Sequence, residues 1–219
     1  MALGGLRVVD LTLPLGRGTP VYPGDPPVLV ERRACVEVDG YQASLVVMGD
    51  HSGTHVDAPA HFIAGGDTVD SIPPQRLVGP AVALDFSWKG PGDSVSRREL
   101  EEALEASGAR PGPGWFVLLS FGWDSRRGTP EWLRHPSISE EAAALLASMG
   151  VGGVGVDTPS PDHPPYPVHR LLLGRGILIV ENLAGLQRLA GRVFTLVVAP
   201  LPLEGAGGAP ARVLALLPG

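Results

Sequence analysis

One eleven-residue stretch, from His51 to His61, limits most strongly what this chain can be. It reads His-Ser-Gly-Thr-His-Val-Asp-Ala-Pro-Ala-His and holds three of the six histidines of the protein. Imidazole and carboxylate groups together suit a borderline divalent cation such as zinc, with manganese or iron as alternatives. On one helix His51 and His55 would share a face but Asp57 would not, and on one straight strand the outermost ligands would lie about 20 Å apart. We therefore expect a bent loop, with the glycine and the proline of the stretch making the bends.

The alternative explanation is that these are ordinary core or surface side chains, which is the usual reason for a single histidine. Four potential ligands within eleven residues argue against it: His51, His55, Asp57 and His61. We interpret the stretch as a candidate metal centre.

The composition excludes several classes of function. The chain has 219 residues, of which 44% are hydrophobic and 18% charged, which is typical of a globular protein. Its length predicts one domain covering residues 1–219. The net charge of −6 and the pI near 5.5 argue against nucleic acid or an anionic membrane as the main partner. The net charge and the pI are more consistent with a small-molecule substrate.

Three further features favour a cytoplasmic protein. Residues 1–10 lack the basic start and long apolar run of a signal peptide. No stretch of about 18 apolar residues is present. Cys35 is the single cysteine, so it cannot form a disulfide within the chain, and we interpret it as a packed thiol in a reducing compartment.

A second candidate pair of ligands is formed by His169 and Glu181. Glu181 ends an Ile-Leu-Ile-Val run that predicts a buried strand. A carboxylate is costly there unless it is paired or bound to metal. From the residues alone, a ligand role and a structural role remain equal alternatives for Glu181, and His169 is the weaker candidate. His135 and His163 fit no ligand pattern, and we interpret them as structural or solvent-exposed.

The hydrophobic pattern predicts eight or so strands and two or three helices in a non-alternating order. Ser96 and Glu99 form a capping box that predicts a helix ending at Gly108, and residues 139–149 predict a second helix. This order favours a mixed α/β domain of the α+β type, with an antiparallel-rich sheet or a barrel-like core. The predicted strands cover residues 6–13, 28–36, 44–48, 77–86, 115–120, 151–156, 177–180, 193–201 and 212–217.

Two aromatic side chains are candidates for the substrate pocket. Tyr22 lies in the proline-rich segment from Thr19 to Pro27, whose backbone is largely pre-set. Such a segment can present a ring to a ligand at low entropic cost, although composition alone explains a core-capping ring equally well. Trp123 lies in an aromatic-rich loop that follows a predicted strand, and a pocket-lining role is open for it.

The stretch 51–61 resembles the His-x-Gly-Thr-His-x-Asp-x-Pro-x-His signature of the cyclase-like metal-dependent hydrolases, which include bacterial kynurenine formamidases and isatin hydrolases. His169 followed by Glu181-Asn182-Leu183 is similar to the second half of that family's metal-binding motif. The run Asp157-Thr158-Pro159-Ser160 also matches and is expected to support the site. The resemblance covers nearly the whole chain. The main departure is Tyr22, where the formamidases usually have Trp.

This resemblance implies a cyclase-like fold and a ligand set for two zinc ions, with manganese as the alternative. One ion would be held by His51, His55 and Asp57, and the second, bridged by Asp57, by His169 and Glu181. Because such a site keeps excess positive charge, it lowers the pKa of a bound water to about 7.

The same resemblance implies that His61 is the general acid/base and that Tyr22 faces the substrate. It implies an amide hydrolase that forms a homodimer or a larger homo-oligomer, with the active site near a subunit interface. The match of Glu181 favours a kynurenine formamidase that converts N-formyl-L-kynurenine to L-kynurenine and formate in tryptophan degradation. The alternatives are the opening of a cyclic aryl amide, as in isatin hydrolases, and a non-catalytic metal- or ligand-binding protein on this scaffold.

Two other enzyme mechanisms lack their sequence signatures. No Gly-x-Ser-x-Gly motif supports a serine hydrolase. No glycine-rich loop ending in Gly-Lys-Ser/Thr supports phosphate chemistry.

Overall fold

The structure is a computed structural model that describes residues 5–219. Residues 1–4 lie outside the described residues. They belong to the predicted domain 1–219 and to the N-terminal stretch that lacks the features of a signal peptide. The single-domain assignment and the cytoplasmic location stay predictions.

Twelve strands and four α-helices occur within the described residues. The strands are β1 (Leu6–Asp10), β2 (Leu29–Ala34), β3 (Ala43–Val47), β4 (His55–Asp57), β5 (Val78–Asp85), β6 (Ser94–Val95), β7 (Phe116–Ser120), β8 (Ser137–Ile138), β9 (Gly153–Val156), β10 (Leu178–Glu181), β11 (Val193–Pro200) and β12 (Gly208–Pro218). The helices are α1 (Val36–Asp39), α2 (Arg97–Ser107), α3 (Glu140–Met149) and α4 (Pro167–Gly174). Short 3-10 helices include Pro59–His61, Trp123–Arg126 and Trp132–Arg134.

The main sheet closes into a barrel. Its eight strands follow the order β1-β12-β11-β5-β7-β9-β10-β4, and β4 also pairs with β12. Closure is possible because β12 is long: Gly208–Pro210 pairs with β4, whereas residues 211–216 pair with β11. Strands β5, β7, β9 and β10 run parallel, and the other pairings in this sheet are antiparallel. The predicted mixed, barrel-like α+β fold is confirmed.

The alternation of side chains along the strands produces two apolar cores. In β5, Ala81 and Ala83 point into the barrel, where the buried cluster includes Leu118 and Val180. Val82 and Leu84, on the opposite face, join the core that the helices cover. The small residues of β9 permit close packing, since a Cβ at Gly155 would lie 2.5 Å from Leu118 Cδ2.

The two predicted helices are present and begin and end at the expected signals. Ser96 accepts from the Glu99 amide and the Glu99 side chain accepts in return, which completes the capping box at the start of α2. Ser139 caps α3 in the same manner, by accepting from Ala142 N. Gly108 and Gly150 end α2 and α3 in the left-handed conformation, as glycine permits.

Strands β2 and β3 form a separate two-stranded sheet that does not join the barrel. Their side chains are almost all exposed. Val46 and Val38, which lies in α1 between the two strands, are 51% and 82% exposed. This hairpin therefore presents apolar side chains that the described part of the chain leaves uncovered. Cys35, in the connection between the two strands, is half-buried.

Three local predictions differ from the structure. The bent loop expected at 51–61 contains the short strand β4, because β10 and β12 supply partners on both of its edges. Gly79 and Pro80, which as strand breakers predict an interruption of the strand at 77–86, do not interrupt β5. Helix α4 was not predicted, since it has only eight residues, too few to show a clear helical period. Among residues 5–219, no helix combines the length and apolar character needed to cross a bilayer.

Candidate metal centre and substrate pocket

Strand register brings three of the predicted ligands onto one face. His55 and Asp57 are two residues apart in β4, so both side chains point the same way. Glu181 of β10 lies directly opposite His55 in the antiparallel pairing. His55 Nε2 is consequently 3.3 Å from Asp57 Oδ1 and 3.2 Å from Glu181 Oε2. All three side chains are nearly inaccessible to solvent.

His51 and His61 approach this group from the turns on either side of β4. His51 Nδ1 lies 2.8 Å from Asp57 Oδ1, and the His61 ring stacks on that of His51 with centroids 3.9 Å apart. The start of β12 leaves room for His51, because a Cβ at Gly208 would come within 2.5 Å of His51 Cε1. Position 208 must therefore lack a side chain for the His51 ring to occupy this place.

His169 reaches the cluster from the first turn of α4. Its Nε2 lies 3.1 Å from Glu181 Oε1 and 3.7 Å from Asp57 Oδ2. Its Nδ1 is 2.6 Å from Asp162 Oδ1, while Asp162 Oδ2 accepts from Val168 N at 2.7 Å. In the neutral imidazole, which is the form that binds a metal, Nδ1–H donates to Asp162 and the lone pair of Nε2 faces the two carboxylates.

His55 is held in the same tautomer by a backbone group. Its Nδ1 lies 2.8 Å from the carbonyl oxygen of Gly53, so in the neutral, metal-binding form of the ring Nε2 carries the lone pair. Two buried imidazoles therefore present equivalent nitrogens to Asp57 and Glu181.

The electrostatics of the cluster favour added positive charge. Burial alone would lower the pKa of His55, but the Asp57 and Glu181 carboxylates outweigh it and raise the pKa well above its usual value. For His169 burial is likewise outweighed, here by Asp162 and Glu181, and the pKa rises to about 10. The pKa of Asp57 is held well below normal by His55 and His51, against the effect of burial. Positive charge on the imidazoles thus compensates the buried carboxylates.

His61 differs from the buried imidazoles. Burial, together with the nearby His51 and His169 rings, lowers the pKa of His61 despite the attraction of Asp57. It is also more exposed to the pocket than His55 or His169. An uncharged imidazole at a pocket wall can accept a proton.

A divalent cation fits this donor set. Among residues 5–219, Asp57 Oδ2 has no hydrogen-bond partner although it is fully buried, and such an atom normally has one. Two groups of three side chains place their donor atoms within 4.8 Å of one another, and Asp57 belongs to both: His51, Asp57 and His61, and His55, Asp57 and Glu181. Imidazole nitrogens with carboxylate oxygens suit zinc or manganese.

An aromatic pocket opens onto the cluster. It has a volume of about 220 Å³. Four aromatic side chains and several small polar ones surround the metal-binding residues, and the lining comprises Pro20, Tyr22, Asp25, His51, His55, His61, Phe62, Trp132, Pro159, Ser160, Tyr166, His169, Glu181 and Asn182. Tyr22 lines this pocket, and its contact with a substrate stays a prediction.

Trp123 does not line this pocket. Its ring is buried and its indole N–H donates to the carbonyl oxygen of Trp132 at 2.9 Å. Trp123 therefore supports Trp132, which does line the pocket. The loop before Trp123 is held by Asp157, whose carboxylate accepts from Phe121 N and Gly122 N at 2.9 and 2.8 Å. Burial raises the pKa of Asp157 to about 7, although these two donors oppose the shift.

His135 and His163 pack against each other, which agrees with the structural interpretation rather than with the solvent-exposed one. His135 is fully buried and its ring stacks on that of His163, with centroids 4.1 Å apart. Burial lowers the pKa of His135 to about 4.

Sequence reasoning missed most of the pocket wall and the carboxylate that holds His169. Tyr166 lies three residues before His169 and Phe62 lies next to His61, so proximity to predicted ligands was a usable signal for both. Trp132 has no comparable signal, because it reaches the pocket only through the tertiary structure. Asp162 lies two residues beyond the run Asp157-Thr158-Pro159-Ser160, which was expected to support the site.

Comparison with known proteins places this architecture in a family. The Cyclase family model matches residues 9–163. The chain is 32% identical to an isatin hydrolase from Roseibium aggregatum, over 98% of this chain and 93% of that protein. It is 31% identical to a kynurenine formamidase from Bacillus cereus, over 94% and 95% of the two chains.

Solved structures agree with the sequence relatives. An isatin hydrolase bound to the product analogue thioisatinate superposes with a TM-score of 0.91 at 29% identity, over 99% of this chain and 94% of that one. A predicted metal-dependent hydrolase from Bacillus stearothermophilus gives 0.79 at 30% identity, over 97% and 99%. Barrel, cluster and relatives together define an enzyme of the metal-dependent hydrolase class. Within that class, the chain belongs to the Cyclase family.

Proposed function

We propose that this enzyme hydrolyses the carbon–nitrogen bond of a compact N-aryl amide. The observation that carries the proposal is the position of the aromatic pocket directly against the His–carboxylate cluster. A reacting amide bound at the cluster would have its aryl ring between aromatic walls. Ligand pockets for drug-sized molecules usually measure about 300–1,000 Å³, so a cavity of about 220 Å³ fits a small one- or two-ring substrate.

The metal ligands proposed are the five side chains named from the sequence: His51, His55, Asp57, His169 and Glu181. They would hold two zinc ions, with manganese as the alternative, and Asp57 belongs to both groups of possible ligands. When bound, such a metal supplies a Lewis acid for the amide carbonyl and a water of lowered pKa.

His61 is proposed as the general acid/base. Its imidazole takes a proton from the attacking water as the new carbon–oxygen bond forms, and returns a proton to the amide nitrogen as the carbon–nitrogen bond breaks. The products are a carboxylic acid and an aryl amine, and no other co-reactant is needed.

The pocket lining favours a neutral, cyclic aryl amide such as isatin. None of the lining residues, all within the described part of the chain, is Lys or Arg. A carboxylate on the substrate would therefore lack a Lys or Arg partner among the lining residues, at a desolvation cost. This feature favours the isatin-type substrate over an amino acid.

The second candidate is N-formyl-L-kynurenine, the substrate of the tryptophan-degradation enzymes that the sequence favoured. Asp25 supports it, because its carboxylate lines the pocket and is a suitable partner for an α-ammonium group. The kynurenine formamidases at 31% identity support it as well.

The test is a parallel assay of zinc-reconstituted protein on isatin and on N-formyl-L-kynurenine, with a chelated sample as the control. We expect isatin opening to be faster and to be lost on chelation. Faster formate release would select the formamidase. Metal binding without turnover of either compound, or of simple formanilides, would contradict the amide-hydrolase proposal and favour a non-catalytic binding protein.

We also propose that the protein is a homodimer or a larger homo-oligomer joined through the β2–β3 hairpin. An isolated two-stranded sheet is marginally stable in water, and this one exposes Leu29, Val30, Leu45, Val46 and Val47 by 39–51%. An exposed apolar surface of this kind is typical of an interface. Light scattering on Val46→Glu, with Leu203→Glu as a control outside the hairpin, tests the proposal: only the first variant should be monomeric.

A further inference from the structure

Two tyrosines meet across the substrate pocket. Tyr166 donates its hydroxyl hydrogen to Tyr22 Oη, with the two oxygens 3.2 Å apart. Both side chains line the pocket, although they are 144 residues apart in the chain. A tryptophan at position 22, usual in the formamidases, has no hydroxyl and would not form this pair.

Both tyrosines are held by their backbones. Tyr22 lies in the proline-rich segment, where Asp25 N donates to Tyr22 O and closes a turn. Tyr166 has φ 63° and ψ 53°, a left-handed conformation that is costly for a residue with a side chain. Non-glycine residues held in this region cluster at functional sites. The strained backbone of Tyr166 therefore favours a functional role for its phenol.

The pair has one hydroxyl hydrogen to spare. Each phenol offers one donor hydrogen, and the bond between them uses only the one on Tyr166. The Tyr22 hydroxyl has no acceptor within residues 5–219, and burial raises its pKa, so it keeps its hydrogen at neutral pH. Accepting one hydrogen bond also makes a hydroxyl a better donor.

The position of the pair limits what can accept that hydrogen. The Tyr166 ring lies edge-on to the His169 ring, with centroids 5.7 Å apart, and is 5.5 Å from Phe62. Tyr22 and the cluster line the same pocket of about 220 Å³, so an acceptor on the same aryl ring, close to the amide, can reach Tyr22 while the amide occupies the cluster.

We propose that Tyr22 donates a hydrogen bond to a carbonyl oxygen attached to the ring carbon next to the one that carries the amide nitrogen, and that Tyr166 orients Tyr22 for this task. The pair is thus a specificity determinant for ortho-acyl N-aryl amides. This inference rests on the proposed amide hydrolysis. It covers both candidate substrates, since isatin and N-formyl-L-kynurenine share the ortho carbonyl.

The experiment compares kcat/KM for N-(2-acetylphenyl)formamide and for formanilide, which lacks the ortho carbonyl. For Tyr22→Phe we expect a roughly tenfold loss on the ketone, mainly in KM, and less than about twofold on formanilide, as befits one neutral hydrogen bond. Tyr166→Phe should cost about threefold on the ketone alone. Because Tyr166 acts through Tyr22, the double variant should match Tyr22→Phe. Tyr41→Phe, at an exposed hairpin position, is the matched control.

Equal losses on both substrates would overturn the inference and leave Tyr22 as a simple aromatic wall. Turnover of neither substrate by the metal-loaded parent would instead refute the proposed function. In that case calorimetric titration with 2-aminoacetophenone and with aniline still tests the hydrogen bond. Equal affinity of the parent protein for the two amines would overturn the inference, and a preference for the ketone that Tyr22→Phe abolishes would support it.

Discussion

The metal cluster and the pocket wall lie side by side but are built differently. The cluster stands on regular elements, with ligands from β4, β10 and α4 whose positions follow from register and helix geometry. The wall comes from four separate segments, which contribute Tyr22, Phe62, Trp132 and Tyr166. Strand register positions the reacting groups rigidly, whereas loops surround them with a surface that can change without disturbing the barrel.

Burial reinforces the contrast. His55, Asp57, His169 and Glu181 are 2%, 1%, 3% and 6% exposed, so a change in their charge cannot be screened by water. Tyr22, Phe62 and Tyr166 are only partly buried. We therefore expect changes in the cluster to abolish metal binding or chemistry, and changes in the wall to alter the choice of substrate.

The largest effect is expected for Asp57→Asn. This side chain is shared by both candidate ligand groups, and an amide cannot supply the negative charge. We expect metal affinity to fall more than about 100-fold and hydrolysis to fall to background. Chelator competition measures the affinity, with the exposed Asp67→Asn as the control. A variant that still binds metal tightly and turns over would remove Asp57 from the centre of the site.

His61→Ala should separate catalysis from metal binding. We expect kcat to fall by about 10²–10⁴-fold, the usual contribution of a general acid/base, while metal content by atomic emission stays unchanged. Added imidazole should restore part of the activity. Loss of metal together with activity would instead make His61 a ligand, which its distance to His51 and Asp57 also allows.

Asp162→Asn tests the support beneath the cluster. Without the carboxylate, the His169 ring loses the partner that fixes its Nδ1–H, and metal affinity should weaken by about 10–100-fold. The measurement is chelator competition at constant pH. Unchanged affinity combined with a lower melting temperature would show that Asp162 only stabilises the start of α4.

Phe62→Leu should act on the wall alone. The ring contacts those of Tyr166 and His169 at 5.5 and 4.7 Å between centroids, and its loss removes about 0.5–1.5 kcal/mol of aromatic contact. We expect KM for aryl amides to rise about threefold to tenfold, with metal affinity unaltered. If metal affinity falls as well, wall and cluster are not separable in the way proposed here.

The smallest effect on activity is expected at Asp157, behind the pocket wall, where the measured quantity is the stability of the fold. Its pKa in the folded protein is raised by burial from the usual 3.8 to about 7, so the folded state binds the proton more tightly than the unfolded state. Its stabilising contribution is full below about pH 4 and is lost as the pH rises through about 7.

Urea unfolding of the parent protein and of Asp157→Asn across this range isolates that contribution. The difference between their unfolding free energies should change by at most ~1.4 kcal/mol per pH unit between pH 4 and 7. A difference that does not vary with pH would contradict the raised pKa.

Several elements could be predicted from local sequence, because their causes are local. Ser96 with Glu99, and Gly108 at the other end, determine where α2 begins and ends. The proposed ligands His51, His55 and Asp57 stood out because imidazoles and a carboxylate lie within a few residues. Roles for these ligands stay predictions until metal binding is measured.

Other features depend on residues distant in sequence. Strand β4 was missed because three residues form a strand only when both neighbours are present. Helix α4 was missed because eight residues carry too little periodicity. Asp162 and Trp132 were missed because their contacts with His169 and Trp123 form only in the folded chain.

The sequence by itself determined the candidate ligand types and their spacing. It also determined the capped helices and the resemblance to a hydrolase family. Only the tertiary structure decided how that chemistry is presented. Closure of the barrel places Glu181 opposite His55, and the meeting of two remote segments joins Tyr22 to Tyr166. The physical reason is that residue identity determines which bonds a side chain can form, whereas register and loop packing, which depend on the whole chain, determine which partner it meets.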